Sequence, residues 1–448
     1  MKKKWRWPLA GFVLGGLVGA TLLTVNVVGA SSPVPAGAES NSFGEILHTP
    51  PLLARASEPI ELRYDVVCGG AKDEPGGTCS PKGSVFVRAS GANGFVEQPL
   101  EREPDGLLSA EVSVGDGGFD YYAEIENGHG ETATLPEAAA AAPQHVWPLR
   151  SWTTVDLGAE SFGETTPPSS VVSELTWGKG TQALGLDSGQ EQSRIGPSAF
   201  DVAPDGSIVV LDQVNHRLSR LRPDGTSMQL PIDFAGGEGD LAVGGDGTIY
   251  VLDAGASQPV VRSFSPAGDL IAGTPLGEAT GDMIRVGSDG PLVHAYPSEM
   301  WLPTGRGRPP LAPEQQLSGA QAARTVDGGQ AVVVSASPAE ARFALVRGGD
   351  VVGSWLVRSS TSLGEVQLAE PYGDGLLVVV RVWDENQAVF RVLRLAPDGL
   401  AGSFAVDRAE WAETASLSRF RLHGSTLYQL RSDPSGVEIA AFEIGGTR

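Results

Sequence analysis

The sequence is short of lysine, cysteine and histidine, and each shortage narrows what the chain can be. Only six of its 448 residues are lysine, so its positive charge is almost all arginine; 54 acidic residues face 32 basic ones, for a net charge of −22. A chain this acidic repels phosphate backbones, which argues against a nucleic-acid partner. The six histidines, His48, His129, His145, His216, His294 and His423, stand at no metal-ligand spacing from one another. Only His294 falls inside an expected core strand. No GxSxG, HExxH or Walker loop occurs, and "LPTG" at Leu302–Gly305 lacks the residue that a sortase signal carries between Pro and Thr. No catalytic set, cofactor or metal is expected from this inventory. Aspartates before glycines (Asp246, Asp289, Asp327, Asp374) leave an all-carboxylate Ca²⁺ site conceivable, but Asp-Gly is first of all turn chemistry.

The two cysteines, Cys68 and Cys79, bracket ten residues, "GGAKDEPGGT". That spacing does not suit a CxxC redox pair, and two thiols without a nearby histidine make a poor zinc site. In an oxidising compartment the pair reads as a disulfide closing a local loop, worth roughly 3 kcal/mol in the chain-entropy model.

What is present begins with a basic "MKKKWRW" followed by an uncharged apolar run, Leu9–Ala30. Residues 1–30 therefore read as a signal peptide or a transmembrane anchor. Small residues at Val28-Gly29-Ala30 offer cleavage between Ala30 and Ser31. The run is longer than a usual h-region and, at about 20 residues, long enough to span a bilayer, which favours the anchor. Either way the positive-inside rule puts the remainder outside the cytoplasm, membrane-anchored or secreted. Residues 31–42, Pro-, Ala- and Ser-rich, read as a flexible stalk. The abundance of Gly, Ala and Arg with few Lys suggests a GC-rich bacterial genome.

Glycine and proline, 59 and 32 residues, are spread along the chain, as many short strands joined by turns require. In residues 43–136, "IELRYDVVC", "SVFVRA", "FVEQPL", "LLSAEVSV", "FDYYAEIEN" and "TATLP" are short alternating runs between Gly, Asp and Pro turns. About seven strands in such a length predict a β-sandwich, and the module resembles immunoglobulin-like or fibronectin-like domains. The cysteine pair departs from the immunoglobulin inter-sheet bridge, because it spans a local loop. Residues 137–149, "EAAAAAPQHVWPL", read as a linker.

Residues 150–448 carry a repeat. Gly206, Gly247, Gly290, Gly329, Gly375 and Gly424 each open an apolar strand, at spacings of 41, 43, 39, 46 and 49. A period of 40–50 residues with a Gly turn and a strand predicts β-propeller blades. In the first unit, "GSIVVLDQVNHRLSRLRPDG", the residues Asp212, Asn215 and Arg217 and the closing Gly225 resemble an NHL-type propeller repeat. The second unit keeps Asp253 but lacks the Asn and Arg at those positions; later units keep only glycines and strands. The expected fold is thus all-β, an N-terminal β-sandwich followed by a propeller of six blades, with seven as the alternative. A strand from "SWTTVDLGA" or "VVSELTWG" is expected to close the ring.

The Asp212–Arg217 cluster could bind a metal or exchange protons, but its place in a repeat hairpin favours a structural role: Asp capping a turn, Asn in a left-handed conformation, Arg paired with Asp, and His216 exposed. The irregular stretch Trp301–Gln316, basic and Pro-rich, is the candidate binding loop, with Trp301, Arg306 and Arg308. The expected function is an exported, membrane-tethered binding or scaffold protein recognising a protein or glycan through its loops. The alternatives are a propeller hydrolase or lyase at the central channel and a carbohydrate-binding surface protein using exposed Trp.

Overall fold

The computed structural model describes residues 43–48, 50–51, 53–68, 80–127, 131–136, 138–141, 143–189, 193–235, 239–276, 280–287, 290–296, 300–304, 329–348, 350–414 and 418–445. The expected signal or anchor, the stalk, Cys79 and both Arg306 and Arg308 lie outside these residues. So do Asp289 and Asp327. Among the described residues no helix is long and apolar enough to cross a membrane. Regular structure is all-β apart from two single 3₁₀ turns.

Two sheets share the first core. One joins the strands Phe43–Leu47, Pro59–Cys68, Leu108–Ser113 and Glu101–Arg102; the other is built on Lys82–Ala89 and Phe119–Glu126. Period-2 alternation does the sorting. Along Phe119–Glu126, Phe119, Tyr121, Ala123 and Ile125 are buried, and they meet Leu62, Tyr64, Leu108, Ala110 and Val112 from the opposite sheet.

A buried histidine is set into this core. His48 stacks on Tyr64 with ring centroids 4.2 Å apart, and its ring nitrogens bond the Arg63 carbonyl (2.7 Å) and the Tyr121 hydroxyl (2.8 Å). Burial pushes its pKa down to about 4, with the Arg63 carbonyl opposing. The unfolded chain thus binds a proton between its own pKa near 6.5 and pH 4 that the folded chain refuses. Stability is full above pH 6.5 and is lost as pH falls, by about 2 kcal/mol at pH 5 and about 3 kcal/mol at pH 4. Unfolding free energies of the wild type and His48→Gln are expected to converge in pH dependence only above pH 6.5; parallel curves down to pH 4 would contradict this.

Residues 144–149, expected as linker, are instead a strand. Gln144–Leu149 pairs in parallel with Leu53–Arg55 and antiparallel with Phe119–Glu126. Val146 enters the first core, while Trp147, 1% exposed, packs with Leu53, Val332, Ala344 and Val346. The alanine and proline composition upstream masked a segment whose two large apolar residues reach two different cores.

The described residues between 151 and 445 form six further sheets in a propeller-like succession. Their leading strands are Ala199–Val202, Gly239–Val243, Thr280–Gly287, Gly329–Ala336, Ser362–Tyr372 and Phe420–His423. Each leads an antiparallel meander, as in Ala199–Val202, Ile208–Asp212, Arg217–Leu221 and Ser227–Pro231. Leading strands of successive sheets are neighbours from the first to the third and from the fourth to the last, and Phe420–His423 lies beside Ala199–Val202.

Both segments expected as closing strands are used, in different sheets. Ser170–Trp177 adds antiparallel to the outer strand of the last sheet, Gly436–Glu443, whereas Thr153–Asp156 adds in parallel to Asp350–Arg358 of the fourth. Leu175 and Leu184 then pack with Phe200, Val210 and Leu221 of the first sheet and Leu430 and Ile439 of the last. N-terminal residues thereby cover an outer edge that would otherwise expose unpaired backbone groups.

Candidate functional site

The repeat cluster is a fastening. Asp212 ends its strand fully buried. Its Oδ2 accepts from Arg217 Nε (2.8 Å) and Asn215 Nδ2 (2.8 Å), and its Oδ1 from the Gly185 amide (2.9 Å). Arg217 also donates to the carbonyls of Lys179, Gly180 and Ala183 and to Gln229 Oε1. Together they fix the 178–185 segment, which follows the strand Ser170–Trp177, to the first hairpin. A Cβ on Gly185 would stand 2.5 Å from Val214 Cβ, so the segment approaches as closely as only glycine permits. The left-handed residue is His216 (φ 52°), not Asn215; Asn215 acts through its side chain, bridging Asp212 and the Gly178 carbonyl. His216 is exposed, with Nδ1 2.9 Å from the Phe234 carbonyl.

Asp253 repeats the arrangement with a different cation. Its Oδ2 accepts from Arg262 Nη1 (2.7 Å) and the Ala235 amide (3.2 Å). Arg262 comes from the next strand, nine residues on, where a fixed-spacing motif does not look. Of the repeat glycines, Gly206, Gly225, Gly247, Gly290 and Gly424 turn with positive φ. Gly329 and Gly375 open strands; a Cβ on Gly375 would lie 1.8 Å from the Leu395 carbonyl oxygen.

Trp301 is not an exposed recognition residue. It lies on the strand Met300–Pro303, directly opposite His294, and is 1% exposed with its ring centroid 5.2 Å from that histidine. His294 Nδ1 is 2.8 Å from Asp282 Oδ1. Among the described residues the exposed indole is Trp383, 40% exposed, which lines a shallow cleft of about 510 Å³ with Glu160, Phe162, Ser360–Ser362, Asp384 and Glu385.

Charge converges where the leading strands meet. Asp240, fully buried, accepts at Oδ2 from the Ile284 amide (3.0 Å) and Arg285 Nη1 (2.9 Å), and at Oδ1 from Ser418 Oγ (2.7 Å) and Arg421 Nη2 (3.0 Å). Burial alone would raise its pKa; the Arg421 and Arg285 charges and these donors outweigh it and hold the carboxyl below the usual range. Asp201 accepts from the amides of Val202 and Val243, both at 2.8 Å. Four sheets are tied through these groups. No group of three or more His, Cys, Asp or Glu suited to a metal occurs among the described residues. Asp246 accepts from the Thr248 amide and hydroxyl, which is turn chemistry. The sequence did not single out Asp201 or Asp240. The signal was a second aspartate a few residues before each Asp-Gly turn, in "FDVAPDG", "GDLAVGGDG" and "DMIRVGSDG".

A second polar group, less saturated, sits on the leading strand Ser362–Tyr372. Bulges between Leu363, Val366 and Leu368 break its pairing with Gly375–Trp383. Glu365 has its pKa raised by desolvation, with the Gln367 amide and Arg381 opposing. Gln367 Nε2 donates to Glu365 Oε2 (2.9 Å). Nearby, Arg408 and Arg419 both pair with Glu410, at 2.5 Å and 3.1 Å.

No protein-family model matches the sequence, and no curated protein matches it. Solved structures do show a likeness. A PQQ-bound aldose sugar dehydrogenase from Streptomyces coelicolor is 13% identical, covering 62% of this chain and 97% of its own, with a TM-score of 0.34. A streptogramin B lyase is 9% identical, covering 80% and 97%, with a TM-score of 0.31. A protein of unknown function from Bacteroides thetaiotaomicron is 9% identical, covering 89% and 97%, with a TM-score of 0.35. At such scores none of these likenesses bears on activity.

Proposed function

We propose that this chain is an exported binding or scaffold protein, tethered to a membrane through residues 9–30. In this reading residues 43–136 are an immunoglobulin-like β-sandwich, stapled by Cys68 and Cys79. Residues 150–448 are an NHL-like propeller of six blades, its ring closed by Ser170–Trp177. The ligand is a protein or a glycan met at the loops, not a nucleic acid.

The observation that carries this reading is the state of the hub. A hydrolase or lyase centred where the first, second, third and last leading strands meet needs a carboxylate there that is free to move a proton or hold a metal. Asp240 spends both oxygens on two arginines, a hydroxyl and an amide, and Asp201 accepts two backbone amides. These groups stiffen the ring, and the rim is left for recognition. Cell fractionation with N-terminal sequencing tests the export and the tether. The protein is expected in the membrane fraction with its first thirty residues intact. A mature form beginning near Ser31 in the medium would replace tethering by secretion, and a cytosolic full-length chain would overturn the proposal.

A further inference from the structure

The polar group at the Ser362–Tyr372 bulge has the composition of a ligand site rather than of a fastening. Gln367 is 4% exposed, yet its Oε1 has no hydrogen-bond partner, while its Nε2 is spent on Glu365. Among the described residues Arg381 makes no hydrogen bond or ion pair, and its buried Nε is unpartnered. Its charge is nevertheless felt at Glu365. This contrasts with Asp240 and Asp212, where every charge is met. The bulge is what gathers the group: a slipped pairing re-aims side chains that a regular strand would alternate between two packed faces. Gly364 brings the backbone close against both side chains, since a Cβ there would stand 3.3 Å from both Arg381 Cβ and Trp383 Cδ1. Arg381 and Trp383, two apart on one strand, therefore lie on the same face against the bulge.

The unmet groups define the chemistry. Gln367 Oε1 lacks a donor and Arg381 Nε an acceptor, while the second oxygen of the exposed Glu365 is open to donors. An ammonium would serve the acceptors but meet Arg381 and the nearby Arg419. An anion would serve Arg381 but face the Glu365 carboxyl. Hydroxyl groups donate and accept, and carry no charge into an acidic protein. Trp383 adds an exposed aromatic face of the kind that covers the C–H face of a sugar ring.

We propose that Glu365, Gln367 and Arg381, with Trp383 beside them, bind a neutral polyhydroxylated ligand, a saccharide unit. The proposal rests on the binding-protein reading and gives its ligand a class; it is tested on purified protein, so its failure is separate from a failure of export. Full-length protein in a detergent without a sugar headgroup is titrated calorimetrically with D-glucose, D-galactose, D-mannose, cellotriose and maltotriose. Inorganic phosphate and methylammonium serve as ionic probes. At least one saccharide is expected to bind one to one. Affinity should fall at least tenfold in Arg381→Met and in Gln367→Leu, with the unfolding temperature of Gln367→Leu not lowered. Binding of a trisaccharide but not its monosaccharide would identify a polymer as the source, and equal binding a free sugar; both support the site. Absence of saccharide binding, binding of the ionic probes alone, or affinity unchanged in both variants would overturn it.

Discussion

Asp240→Ala is expected to destabilise the protein by about 3–5 kcal/mol, among the largest losses available to a single substitution here. The substitution leaves Arg421, itself buried, and Arg285 facing one another with only the more distant Asp201 carboxylate, 3.9 Å from Arg421, and a buried charge stripped of its hydrogen-bonded partner costs about that much. The same carboxylate gives a pH signature. Its folded pKa lies below the unfolded value near 3.8, so its contribution is complete above about pH 4 and is lost as pH falls through the folded value. Urea unfolding at pH 7 should show the full difference between wild type and variant, and the gap should close below pH 4. A difference under about 1 kcal/mol at pH 7 would mean that the hub is not what holds the sheets together. Replacing Asp240 and Arg421 together by apolar residues is expected to cost less than Asp240→Ala plus Arg421→Met, since each partner's penalty is partly the other's exposure.

Arg217→Met is expected to cost a similar amount, about 3–5 kcal/mol, by a different route. Five hydrogen bonds are lost, and Asp212 keeps a fully buried charge with only neutral donors. Because three of those bonds hold the 178–185 segment, protection should be lost there first, followed by the strand Ser170–Trp177 just before it. Arg217→Lys is expected to recover little: an ammonium cannot donate in the forked geometry that reaches Asp212, Gln229 and three carbonyls at once. Hydrogen exchange by mass spectrometry checks this. Unchanged protection of 178–185 in Arg217→Met would contradict the fastening.

Much of this was legible in the sequence, for reasons that can be named. Strands announced themselves through alternation, as in Phe119–Glu126, and hairpins through glycines such as Gly206 that turn with positive φ. Asp212, Asn215 and Arg217 stand close along the chain, so a local motif captured them. What escaped was non-local. The partners of Asp240 come from residues 285, 418 and 421, and no fixed spacing links them. Trp301 was misread because a proline-rich stretch downstream suggested a loop, whereas its strand pairs residue by residue with Leu292–Ala295. Trp147 was hidden by alanines and prolines. Trp383 and Arg381 drew no notice because an unmet donor or acceptor is a property of surroundings, not of sequence.

Closure of the ring by an N-terminal strand is the claim on which the propeller reading and its functional consequences depend. Glu174 and Glu438 face each other across the Ser170–Trp177 and Gly436–Glu443 pair, with Glu443 well out of register from Glu174. Cysteines at facing positions of an antiparallel pair fall within reach of a disulfide; those several residues out of register do not. Glu174→Cys combined with Glu438→Cys is expected to cross-link on mild oxidation, seen as a linked peptide by mass spectrometry. Glu174→Cys with Glu443→Cys is expected to remain reduced. Failure of the first pair to link, or equal linking of both, would contradict the closure.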